Sequence, residues 1–233
     1  MQFIEKNSFN VRSAVYRLIS DKEMYEFILF PMIHVGSKQY YDEIRKRIME
    51  CDLILAEGLK SKKIAFMTLS YRVVKKIKRM DLVIQEDALK FSELPVKIIN
   101  SDLSGQIFDR GWSALPLSLR AQFVVMIPFM VIYMFFFGTR KFIADRLSLD
   151  DLPSREELLY SDEETDEYIA LIIDERDKHL ISVIENVLNQ KAVDRKRIGI
   201  LYGARHMRNV VLYLQNKRGY RIAQAEWVTV FDL

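Results

Sequence analysis

His34, Glu57 and His206 have side chains able to bind a metal ion or move protons, and each lies at or just past the end of an apolar run. His34 ends 27-FILFPMIH-34, Glu57 ends 53-LILAE-57, and His206 follows 198-IGILYG-203 within 203-GARH-206. Residues at the C-terminal ends of parallel strands line one crevice in an open α/β sheet. If the three runs are such strands, the set converges on one site. Two imidazoles and one carboxylate can hold a divalent ion and leave a position open for water, which the ion turns into a nucleophile near neutral pH. Without a metal, Glu57 orients one histidine, and that histidine acts as general base on water.

The elements that must position these groups follow from periodicity. Residues 13–20 and 24–30 are rich in β-branched and aromatic side chains around the polar Asp21-Lys22-Glu23, which predicts an N-terminal hairpin. Tyr40, Ile44 and Ile48 recur four apart among charges, which predicts a helix from Ser37 to Met49. With the strand 53–56 this makes a strand–helix–strand unit, and its two strands should run parallel. Further strands are expected over 96–100, just before Asp102, and over 197–203. A helix over 207–217 should stop at Gly219, before a last strand at about 221–230.

Ser161 and Glu164 form a capping-box pattern, so a long helix is expected from about Asp162 to Gln190. Ile169, Ile172, Arg176, Leu180, Val183 and Val187 share its apolar face. An arginine on that stripe must be paired or face a pocket, because an unpaired buried charge is very costly. Arg176 is therefore a candidate for the site, steadying negative charge on a substrate or oxyanion. The plainer alternative is a structural salt bridge to Asp102 or Asp177. His179 lies off the stripe, four residues after Glu175, and reads as half of a surface pair.

At 233 residues, half of them hydrophobic, the chain fits a single α/β domain, 1–233, with a helical insertion at about 60–150. Its net charge of +3 is too small to argue for nucleic acid. The single cysteine, Cys51, excludes an internal disulfide and fits a reducing compartment; it reads as a small core residue. No apolar leader opens the sequence, so a cytoplasmic location is expected.

Residues 60–80 carry eight basic side chains and no acidic one. They read either as a solvated helix face or as a basic amphipathic helix on an anionic membrane or acidic partner. The apolar run 123–138, broken by Pro128, falls short of the roughly 20 residues a bilayer span needs. A single span there would also separate His34 and Glu57 from His206. A buried helix, a homodimer interface or an in-plane membrane contact is expected instead, with Arg140, Lys141 and Arg146 following it at headgroup level. From Asp150 to Glu167 the chain turns acidic. Dinucleotide, P-loop, zincin and serine-hydrolase motifs are all absent.

These motifs together resemble the TraB/GumN/Tiki superfamily, related to erythromycin esterase and ChaN-like proteins. The similarity rests on the hairpin leading into His34-Val35-Gly36, the strand ending at Glu57, the helix bearing 175-ERD-177 and the late Gly203-to-His206 motif. Pro31 stands where the first of the paired motifs usually has glycine. The resemblance implies a mostly parallel central sheet with flanking helices and one site from the paired motifs, the glutamate and the arginine. Tiki proteins are metal-dependent proteases, TraB-like relatives are implicated in limiting peptide pheromones, erythromycin esterases hydrolyse a lactone through histidine, and ChaN-like members bind haem. The expectation is a hydrolase of peptides or small esters. It would use a divalent metal (manganese, cobalt or zinc) on His34, Glu57 and His206, with Arg176 in support and Asp102, Gly203 and Asp177 nearby. The alternative is a non-catalytic regulatory or membrane-associated binding protein that keeps the fold, with haem as a variant.

Overall fold

A computed structural model describes residues 1–147, 173–190 and 194–233. The acidic stretch 150–167, the expected helix start near Asp162, and Ile169 and Ile172 lie outside the described residues.

The expected hairpin is β2 (Asn10–Ile19) and β3 (Tyr25–Met32), preceded by a short β1 (Ile4–Lys6). After β3 the chain makes a two-residue strand, β4 (Val35–Gly36), then α1 (Lys38–Ile48) and β5 (Leu53–Ala56). The side chain of Ser37 caps α1 by accepting from Tyr40 N.

A helical stretch follows: α2 (Lys62–Met67), α3 (Leu69–Arg72) and two 3₁₀ turns over 73–80. Next come β6 (Val83–Ile84), α4 (Gln85–Leu89), β7 (Lys97–Asn100), α5 (Gly105–Ala114), α6 (Leu117–Phe137) and α7 (Arg140–Ala144). The chain ends with α8 (Glu175–Leu188), β8 (Lys196–Gly203), α9 (Met207–Arg218) and β9 (Arg221–Asp232). Gly219 stops α9 in the left-handed region at φ 69°, where a side chain would be strained.

The centre of the main sheet is parallel, in the order β3-β8-β5-β7. The strand–helix–strand unit is thus real, but β8 from the far end of the chain slots between β3 and β5. Antiparallel strands complete one side. β9 runs along one edge of β2, and the other edge is shared by β1 at Val11–Ser13 and β3 at Tyr16–Leu18.

Alternation along the strands sends side chains to two cores. Phe30, Met32, Ile54, Ala56 and Leu201 pack with α1, α4 and the 3₁₀ turns. Phe27, Leu29, Leu55, Ile198, Ile200 and Tyr202 pack with α8 and α9. This is a three-layer α/β arrangement.

Three sequence expectations need correction. The basic segment 60–80 is not one helix. Its buried residues Val74, Ile77 and Met80 recur every third position, the period of a 3₁₀ turn. Its charges are also claimed locally: Arg72 pairs with Glu86 at 3.0 Å, Lys75 with Asp87 at 3.3 Å, and Lys63 Nζ donates to Asp109 O at 2.9 Å.

The apolar run is longer than expected and is not buried. Leu117–Phe137 forms one helix of 21 residues with Pro128 inside it, because 117-LSLRAQ-122 continues the turn upstream. Among the described residues it is the one helix long and apolar enough to cross a membrane, and most of it is exposed. Finally, Glu175 pairs with Lys178 at 2.7 Å, not with His179.

Candidate functional site

Glu57 extends β5 by one residue, its N–H bonding to Leu201 O of β8 at 2.9 Å. This sets its carboxylate at the C-terminal edge of the sheet, beside the end of β8. There Gly203 N donates to Glu57 Oε2 at 2.8 Å. A Cβ built on Gly203 would sit 3.4 Å from that oxygen and 3.5 Å from His206 Cδ2. The carboxylate and the imidazole edge therefore flank the same glycine. His206 follows in a 3₁₀ turn that leads into α9.

Arg176 enters from the first turn of α8. Its Nη2 donates to Glu57 Oε1, and its Nε and Nη2 grip Asp102 at 2.8 and 2.7 Å. Asp102 and Arg176 are buried and Glu57 is largely so. Both readings of Arg176 are thus realised in one side chain: it points to the site, and it is paired there with Asp102. The second buried residue of the helix motif, Asp177, accepts from the other half of the site. Its Oδ1 lies 2.6 Å from His206 Nδ1, and Asn209 Nδ2 donates to its Oδ2. Tyr202 closes the floor. Its ring stands edge-on to His206 at 5.2 Å between centroids, and its hydroxyl donates to Ser101 O at 2.8 Å.

His34 approaches from β3. Pro31 holds the last turns of that strand in a way glycine would not. It has no N–H to give, and its carbonyl accepts from Ser13 Oγ at 2.6 Å. Tyr41 of α1 donates to Ile33 O at 2.7 Å, and Gln85 N donates to His34 O at 2.9 Å, so the backbone on both sides of the imidazole is fixed. The ring is exposed and stacks on Tyr71 of α3, with centroids 5.0 Å apart and planes 10° off parallel.

The electrostatics tie the groups together. Burial works to raise the Glu57 carboxyl, but the charges of Arg176, His34 and His206 outweigh it and hold the group at about 2. Glu57 is an anion at neutral pH, within electrostatic reach of both histidines. Burial is also the main cause that holds the Tyr71 and Tyr202 hydroxyls protonated above their usual range. Glu57 adds to this at both, and Asp102 does so more strongly at Tyr202.

No family model matches this chain, and no curated protein or solved structure matches it.

The divalent site expected from the three residues is not assembled. Among the described residues no three His, Cys, Asp or Glu side chains converge closely enough to hold a metal. Both oxygens of Glu57 are engaged, one by a guanidinium whose charge opposes a cation at the same carboxylate. His206 is the best-prepared ligand, since a carboxylate on Nδ1 orients Nε2 outward, yet it lacks the two companions. The donor set as arranged does not fit the ion.

Sequence reasoning missed Asn209, Tyr202 and Tyr71. Asn209 and Tyr202 flank the GARH motif, so adjacency was the available signal. For Tyr71 there was none, because the basic residues around it dominated the segment.

A concavity of about 180 Å³ lies at the opposite end of the parallel strands, between Arg17, Arg47, Glu50, Cys51 and Arg197. It holds no histidine, and burial pushes the Cys51 thiol up to about 12, which leaves it inert.

Proposed function

We propose that the chain is a hydrolase of peptide or small ester bonds, of the TraB/Tiki type, in which His206 activates water. One observation carries this reading: Asp177 engages Nδ1 of His206 at 2.6 Å at the C-terminal edge of the sheet. That contact fixes the tautomer and leaves Nε2 as the acceptor, the arrangement that makes a histidine an oriented base.

In the proposed step, Nε2 takes a proton from water as the water oxygen bonds to the acyl carbon. The carbonyl electron pair moves onto the acyl oxygen. Collapse of the tetrahedral species expels the leaving group, which receives the proton back from His206. The imidazolium formed in between is favoured by Asp177 and by the Glu57 anion. His34, the second imidazole, donates a hydrogen bond to the acyl oxygen from the mouth of the site. Arg176 is a positioning residue, fixing Glu57 against Asp102.

The test is a panel of chromogenic esters and peptides, with and without chelator. Turnover that survives chelation and falls by about 10³–10⁴-fold in Asp177→Asn supports the reading. Turnover lost to chelator and restored by manganese supports a divalent-metal hydrolase instead. A second reading, a binding protein without turnover, is favoured by the full satisfaction of Glu57 by Arg176 and Gly203; silence across the whole panel supports it.

A further inference from the structure

The exposed side of α6 is the largest feature the site leaves unexplained. One stripe of the helix, Leu119, Ile127 and Met134, is buried against α2, α3 and the turn over 73–76. The rest faces outward: Val125 is 73% exposed, Phe129 64% and Phe136 65%, with Val124, Met126, Ile132, Phe135 and Phe137 also in the open. A helix that is apolar all round is ordinarily covered by protein or lipid.

We infer that α6 lies in the plane of an anionic lipid bilayer, its outer arc in the acyl region and the neighbouring basic residues at the headgroups. Three observations select this occupant. First, from Phe123 to Phe137 the one side chain able to hydrogen-bond is the Tyr133 hydroxyl. Protein interfaces carry roughly one hydrogen bond per 100–200 Å², so this arc suits hydrocarbon better than a second copy of the chain. Second, the charge beside it is predominantly basic, with Asp81, Glu86, Asp87 and Asp145 pairing only part of it. Residues 60–80 hold eight basic side chains and no acid, and residues 110–144 add Arg110, Arg120, Arg140 and Lys141, again with no acid. Such clusters are drawn to anionic leaflets. Third, the geometry favours lying flat over crossing. Lys62, Lys63, Arg72, Lys75 and Lys76 ride on the elements packed along α6, and a transverse helix would drag them into hydrocarbon. Glu57 precedes α6 and Arg176 follows it, yet they are bonded to one another, and a single crossing would part them.

The test is flotation of the full chain with vesicles of phosphatidylcholine alone and of phosphatidylcholine mixed with phosphatidylglycerol. Binding should require the anionic lipid and weaken with salt. The variant Val125→Asp/Phe129→Asp/Phe136→Asp should abolish it while keeping the circular dichroism of the wild type, because these side chains contribute little to the core. Lys76→Glu/Lys78→Glu/Lys141→Glu should weaken it by about 100-fold. Cysteines placed at Leu117 and at Lys141 should both react with an impermeant thiol reagent added outside the vesicles. Failure of the wild type to float overturns the inference. So does a lipid-free dimer that the triple aspartate variant dissociates, which would make a second copy the occupant. Labelling at only one of the two cysteines overturns the in-plane orientation.

Discussion

Replacing Arg176 with methionine should reverse the sign of the protein's acid response. In the wild type, the buried guanidinium faces two carboxylates, Glu57 and Asp102. Glu57 is held at about 2 against an ordinary 4.5. A carboxyl lowered on folding stabilises the native state above its unfolded value, and that stability is lost as pH falls through the folded value. The wild type should therefore lose roughly 3 kcal/mol from this group between about pH 5 and pH 2.

Methionine keeps much of the volume but leaves two buried anions opposed. Removing one partner of a buried ion pair costs about 3–5 kcal/mol. The lower end applies here, because the Glu57 side chain is 16% exposed and water can screen it. The Glu57 carboxyl is then raised by burial and by Asp102, so the native state binds more protons than the unfolded one, and stability climbs as pH falls from 7 toward 5. Urea unfolding of the variant at steps between pH 7 and pH 4.5, and of the wild type on down to about pH 2, reads both effects. Adding Glu57→Gln to the methionine variant should recover much of the loss at pH 7 and flatten the slope. A loss below about 1 kcal/mol, or a variant whose stability still falls on acidification across that range, would refute the charge assignment.

Other outcomes follow from single contacts. Asp177→Asn should abolish turnover of any substrate found for the wild type while leaving its KM within a few-fold, since the residue orients the base without meeting substrate; steady-state kinetics separate the two. The Cys51 thiol, pushed up to about 12 by burial, should resist a thiol reagent at pH 8 in the folded protein and react at once in urea. Arg79 donates to the carbonyls of Phe135, Phe136 and Gly138 at the end of α6. Arg79→Ala should lower stability by about 1 kcal/mol in chemical denaturation and loosen amide protection at that helix end.

The sheet and most of its flanking helices were legible because their signals are local. The hairpin shows in two β-rich runs, α1 in its four-residue period, and the end of α9 in Gly219. The convergence of Glu57 and His206 was legible too, because both terminate strands that pair side by side. What stayed hidden depends on distant partners. The sequence offers Arg176 two carboxylates within reach, Asp102 and Asp177, and only packing decides that Asp102 takes the guanidinium while Asp177 takes the imidazole. The 3₁₀ turns over 73–80 were obscured by helix-forming lysines, whose propensity loses to the core positions of Val74, Ile77 and Met80. The exposure of α6 runs against its composition, which by itself reads as interior.

The short helix α3 touches both halves of the molecule's chemistry. Its Tyr71 forms one wall against the His34 ring, while the helix itself rests on α6. A substitution that unseats α3 should therefore disturb the wall beside His34 and the bed of α6 together.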